Sequence, residues 1–183
     1  MTQIVLHVGC GPADIRHLPE LFQRGWREIR LDVDPAVNPD IVADITAMRP
    51  VADESVDAVY SSHNLEHLYA HQVLQALGEF HRVLKPGGML LVTLPDLQTV
   101  ATAVSQDRLE DPLYQSPVGP ITALDVLYGH RPALAQGRHF MAHKTGFTAT
   151  TLRRKLEAAG FQIHSVNRQD YALWAVAHKP KPA

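Results

Sequence analysis

The chain has 183 residues, 45% of them hydrophobic and 20% charged, which fits one globular domain and excludes a disordered or fibrous chain. Seventeen basic and nineteen acidic residues leave a formal net charge of -2, so no overall positive field exists to draw in nucleic acid. Cys10 is the only cysteine, which excludes an internal disulfide. It fits a reducing compartment, and with no apolar run near the ~20 residues of a membrane span and no charged-then-apolar leader, a cytoplasmic protein without a membrane partner is expected.

The first apolar, β-branched run, Ile4 to Val8, breaks at Gly9-Cys10-Gly11 into an elbow, with Asp14 placed where a helix can begin. Ile29 to Val33, Ile41 to Ala43, Val56 to Ser61 and Met89 to Leu94 are further short runs that read as buried strands. Leu68 to Leu84 carries Val73, Leu77, Phe80 and Leu84 at helical spacing before Lys85-Pro86-Gly87-Gly88 ends it. Alternating strands and helices predict an α/β fold with a parallel sheet covered by helices on both faces. From Asp96 to Lys144, Pro112, Pro117, Pro120 and Pro132 break the pattern into short helical pieces such as Ile121 to Tyr128. This stretch, about 96–146, reads as an insertion over the carboxyl edge of the sheet within a single domain spanning 1–183. Thr148 to Ala159 then reads as a helix stopped at Gly160, and Phe161 to Val166 and Ala172 to His178 as strands. Their link is too short for a parallel crossover, so they should pair antiparallel.

A strand, a glycine elbow and a helix start together place backbone N–H groups around a ligand, and the residues choose which. The mononucleotide loop G-x-x-x-x-G-K-[ST] is excluded because nothing supplies its lysine. The dinucleotide pattern G-x-G-x-x-G meets Asp14 at its third glycine position, where a carboxylate repels a pyrophosphate. S-adenosylmethionine carries no phosphate; its adenosine, amino-acid zwitterion and sulfonium suit a close backbone approach with acidic neighbours.

Val8-Gly9-Cys10-Gly11 after the first strand, Asp32 ending the second, Asp44 ending the third, Leu65-Glu66-His67 after the fourth and Val83-Leu84-Lys85-Pro86-Gly87-Gly88 before the fifth form an ordered set. In that set the chain resembles the class I S-adenosylmethionine-dependent methyltransferases, of the small, single-domain, type 11-like kind. The resemblance implies a Rossmann-like mixed sheet of seven strands, mostly parallel with an antiparallel last strand. It implies S-adenosylmethionine as cofactor, with Gly9, Cys10 and Gly11 against its methionine part. Asp32 falls at the ribose, with Asp34 placed either to share that duty or only to start a turn. Asp44 and Ile45 fall at the adenine and Ser62 and His63 at the border of the cofactor, with Val33 as a further cofactor-binding residue. Independently, Asp32 lies 21 residues past Gly11, close to the ~20-residue offset of ribose-binding carboxylates. The chain departs from the family at Ala13, in place of a third glycine, and at His7, in place of a first-strand acid. His7 is either directed toward the ligand through water or satisfied within the sheet. Cys10 is either a reactive thiol or a small side chain fitting a tight turn.

His139 and His143 flank "FMA" in the returning segment, where the resemblance puts the acceptor pocket; with His67 they are the candidates for a base that takes a hydroxyl proton. His63-Asn64-Leu65-Glu66-His67 also spells H-x-x-E-H, a zinc peptidase pattern. His63 ends a strand, and no third ligand accompanies the motif in sequence, so no metal is expected. The expected reaction is methylation, by preference on oxygen, of a small molecule or sugar; a non-catalytic scaffolding subunit of the same fold is the alternative. Six residues separate Asp34 from Ile41, too few for a crossover helix, which leaves the adenine side open for a second copy in a homo-oligomer.

Overall fold

The computed structural model describes residues 2–182. Its strands are β1 Gln3–Val8, β2 Trp26–Asp32, β3 Ile41–Val42, β4 Val56–Ser62, β5 Leu84–Pro95, β6 Pro112–Ser116, β7 Gly119–Thr122, β8 Gln162–Gln169 and β9 Ala172–His178. Seven of them make one sheet in the order β3-β2-β1-β4-β5-β9-β8. The first five pair in parallel, whereas β9 runs antiparallel to both β5 and β8. The two-residue turn between β8 and β9 permits nothing else, as the sequence requires.

Alternation along the strands sorts the core into two layers. Leu6, Val8, Val59, Leu90, Val92 and Leu94 face one side and meet Leu77 and Phe80 of helix α1 (Val73–Val83) and Leu152 and Leu156 of helix α5 (Ala149–Ala158). Val5, Ala58, Tyr60 and Leu91 face the other side against Leu18 and Phe22. The helical layer there is reduced to two 3₁₀ turns, Ile15–His17 and Glu20–Phe22. A longer helix after the elbow is prevented locally: Leu18 precedes Pro19 and adopts the extended conformation (ψ 161°) that a following proline imposes. The second crossover is a 3₁₀ turn at Pro35–Val37, in keeping with its few residues. Helix α1 starts at Val73, five residues later than the apolar spacing suggests, because Leu68 is extended and the Gln72 side chain accepts from the Tyr69 N–H.

Between β5 and α5 the chain forms helices α2 (Leu97–Ser105), α3 (Ala123–Tyr128) and α4 (Arg131–Ala135) and the antiparallel β6–β7 hairpin. The hairpin was not readable from the prolines: Pro112 and Pro120 lie in a two-stranded ribbon whose outer edges need no N–H donor, Pro117 in its turn and Pro132 in the first turn of α4. Val100, Ala103, Ile121, Ala123 and Val126 give this segment a small core of its own. It returns along the carboxyl ends of β4 and β5: Lys144 N–H donates to the Glu66 carbonyl at 2.8 Å, and Leu97 N–H to the Phe147 carbonyl at 2.9 Å. Among the described residues no helix is long and apolar enough to cross a membrane.

Candidate functional site

The elbow follows β1 directly. Gly9 and Gly11 have φ of +62° and +51°, conformations in which a side chain is strained. A Cβ on Gly9 would also lie 2.5 Å from the Asn64 side chain, whereas one on Gly11 would meet nothing within 4 Å. The first glycine thus lets β1 close against the end of β4, and the second opens on free space. Asp32, ending β2, ties the elbow down: its Oδ2 accepts from Gly11 N–H at 2.8 Å and its Oδ1 from Asp34 N–H at 2.9 Å. Each carboxylate oxygen keeps a further lone pair.

Arg30 holds the elbow from behind. Its guanidinium donates to the carbonyls of Gly11 (2.7 Å), Ala13 (2.9 Å), Val37 (3.2 Å) and Asn38 (2.9 Å), joining the first and second crossovers. His7 settles as a satisfied core residue: it is buried, its Nδ1 lies 2.8 Å from Glu28 Oε1, and burial lowers its pKa despite the carboxylate. Cys10 is buried as well, and burial pushes its thiol up to about 11, which removes the reactive reading.

Beyond Asp32, Val33 exposes 55% of its surface while Ile45 is buried. Asp44 caps a turn, with Oδ1 accepting from the N–H and the hydroxyl of Thr46 at 2.8 and 2.7 Å. At the end of β4, the buried Ser61 Oγ and Asn64 Nδ2 have no protein partner. Unpaired polar atoms beside an open glycine elbow are what a zwitterionic ligand would satisfy, so these residues fit S-adenosylmethionine. Ser62 precedes His63, whose φ of +47° turns the chain out of the strand.

That turn delivers Glu66 and His67 from the 3₁₀ turn Leu65–His67 to the returning segment. Glu66 is 1% exposed and neither carboxylate oxygen has a hydrogen-bond partner; His63 Nδ1 approaches Oε1 only to 3.4 Å. His67 and His143 meet edge to face with ring centroids 4.9 Å apart. One ligand atom each of Glu66, His67 and His143 lies within 4.8 Å of the others. His143 Nδ1 is 2.7 Å from the Val126 carbonyl and His67 Nδ1 is 3.2 Å from that of Ala142. A carbonyl only accepts, so Nδ1 carries a proton on both rings, and Nε2 is the nitrogen that presents a lone pair when the ring is neutral. Burial lowers the His143 pKa against the pull of Glu66, which keeps that ring neutral. Burial would raise the Glu66 carboxyl, but the nearby His63 imidazole above all holds it below its ordinary value. His139 lies on the exposed 3₁₀ turn His139–Met141 and joins none of these contacts.

Of the residues singled out from sequence, the fold gathers Gly9, Cys10, Gly11 and Asp32 at one elbow and His67 with His143 at a second point. His143 comes to lie beside Glu66 and His67 of H-x-x-E-H, through a contact between segments that no spacing rule encodes. Arg30, Asn64 and the isolated Glu66 carboxylate were missed for the same reason.

The family model described as a methyltransferase domain (Methyltransf_11) matches residues 6–92, from β1 through the elbow to β5. A 51-residue stretch is 49% identical to malonyl-[acyl-carrier protein] O-methyltransferase 1 of Coxiella burnetii, covering 28% of this chain and 17% of that protein's length. A methyltransferase structure from Methanosarcina mazei, described as S-adenosylmethionine-dependent, superposes with a TM-score of 0.68 at 17% identity, over 100% of this chain and 95% of that one. The 1,6-didemethyltoxoflavin-N1-methyltransferase of Burkholderia thailandensis, solved with 1,6-didemethyltoxoflavin and S-adenosylhomocysteine, gives 0.59 at 15% identity over 97% and 71% of the two chains. At these identities the solved structures show a shared fold. The sheet order with its antiparallel β9, together with the elbow, is that of the class I methyltransferases. Residues 6–92, just under half of the chain, match that methyltransferase domain family, and the whole chain shares the fold of the S-adenosylmethionine-dependent methyltransferases.

Proposed function

We propose that the protein moves the methyl group of S-adenosylmethionine to a hydroxyl of a small molecule or sugar. The observation that carries this reading is the buried, unpaired Glu66 carboxylate with two imidazoles beside it, just past the strand end that packs on Gly9. Gly9, Cys10 and Gly11 receive the methionine part by backbone contact. Asp32 accepts the ribose hydroxyls through the lone pairs that Gly11 and Asp34 leave free. Val33, Asp44 and Ile45 would flank the adenine, Asp44 offering the oxygen that Thr46 leaves free, and Ser62 and His63 would close the border toward the acceptor.

When bound, the cofactor supplies a methyl on a sulfonium whose carbon–sulfur bond breaks toward sulfur as the acceptor oxygen takes the carbon. The chain contributes alignment and a place for the proton. The hydroxyl proton passes to Nε2 of His143, a neutral ring fixed in the right tautomer by the Val126 carbonyl. His67 and Glu66 stand behind it and stabilise the imidazolium that forms. A small acceptor suits a cluster that the returning segment covers at residues 142–145 and a net charge of -2. The Burkholderia protein holds a small molecule, and the Coxiella relative is named an O-methyltransferase.

The test is transfer of a labelled methyl group to a panel of hydroxylated small molecules. The wild type should modify at least one of them. His143→Ala and Glu66→Gln should each lower kcat about a hundredfold with cofactor affinity unchanged. Cofactor binding with every acceptor inert, or transfer that both variants leave intact, would contradict the reading.

A further inference from the structure

We propose that Glu66, His67 and His143 form a binding site for one divalent transition-metal ion of the zinc type, with an open coordination position facing the acceptor. Three independent features point there. Glu66 is 1% exposed with neither oxygen hydrogen-bonded and only His63, at 3.4 Å, approaching it, and a buried carboxylate so poorly paired calls for a cation. Both imidazoles are held through Nδ1 by backbone carbonyls, the outer-shell arrangement that orients metal-binding histidines and leaves Nε2 for the ion. Finally, two imidazoles and one carboxylate are the ligand set of catalytic zinc sites, which keep a fourth position for water or substrate.

The ligand atoms now stand within 4.8 Å of one another. Around a tetrahedral ion they would be about 3.3 Å apart, a contraction that small rotations of the three side chains provide. His63, half exposed and 3.4 Å from Glu66 Oε1, lines the solvent side. H-x-x-E-H here is therefore not the helical peptidase arrangement: its first histidine stays outside, and the third ligand comes from the returning segment.

The metal-binding claim stands on these contacts alone; its role rests on the proposed methyl transfer. An acceptor hydroxyl at the open position loses its proton more readily. In the metal-bound protein Nε2 of His143 is a ligand, so the ion replaces that ring as the group that draws off the proton, which leaves to solvent.

The experiment is titration of Co2+ and Zn2+ into the full chain after chelator treatment, without cofactor or acceptor. One Co2+ per chain should give visible d–d absorption bands that Zn2+ abolishes. His67→Ala and His143→Ala should each weaken Zn2+ binding at least about a hundredfold and remove the bands, while His139→Ala changes neither. Calorimetry with S-adenosylmethionine and thermal melts on the same variants show that each remains folded. Wild type without saturable metal binding, or binding that survives in both ligand variants, would overturn the site. Methyl transfer at full rate by the metal-free protein would overturn its role and leave the transfer reading standing; a metal-loaded protein that transfers to no hydroxyl would support the site and contradict the transfer reading.

Discussion

Arg30 spends its guanidinium on four carbonyls from two crossovers, so its loss should loosen the elbow as well as the fold. Arg30→Ala is expected to cost about 2 kcal/mol in denaturant unfolding, given charge-assisted bonds of this kind, and to weaken cofactor binding about tenfold. Gly9→Ala meets two obstacles at once, a φ of +62° and the Asn64 side chain. It should destabilise by about 2 kcal/mol or more, with a urea midpoint shift as the readout. Cys10, with its thiol raised to about 11, should resist alkylation at neutral pH until the protein unfolds. Gly9, Gly11 and Asp32 were legible in the sequence because their constraints are local: a turn that needs positive φ and a carboxylate at fixed offset. Arg30, Asn64 and Glu66 were not, because a side chain's partners across the fold leave no periodic trace.

At the scale of elements, helix α3 depends on a reciprocal cap: Thr122 Oγ1 accepts from Asp125 N–H, and Asp125 Oδ2 from Thr122 N–H. Arg131 adds an ion pair to the same carboxylate at 2.9 Å. Burial would raise the Asp125 carboxyl, but Arg131, Thr122 and two backbone N–H groups hold it well below the usual carboxylate range. A carboxyl depressed by folding stabilises fully above its unfolded value, and that contribution fades as pH falls toward the folded one. The thermal stability of the wild type should therefore drop between about pH 5 and about pH 3, and the drop should be smaller in Asp125→Asn, which starts lower at neutral pH. Sequence spacing found the strands of the main sheet and α5, since apolar period reports burial, but Leu84 to Gly88, read as the end of a helix, are the start of β5. It missed the β6–β7 hairpin, whose half-exposed residues carry no such period, and the 3₁₀ turns of the first crossover, where Pro19 overrides the expectation of a helix.

Across the whole molecule, the parallel strands bring three distant segments to one edge: the elbow after β1, the turn after β4 and the segment returning to α5. That the early strands run parallel and the last two pair antiparallel was readable, because the length of each link restricts how the next strand can lie. The meeting of Glu66 and His67 with His143 was not, because it depends on how the insertion folds back. The account as a whole rests on the elbow and Asp32 forming the cofactor site. Titration calorimetry of S-adenosylmethionine into the wild type and Asp32→Ala tests this most directly. Saturable binding by the wild type, weakened at least about tenfold in the variant as expected for a lost charged partner, is the predicted result; equal affinity in the two proteins would contradict it.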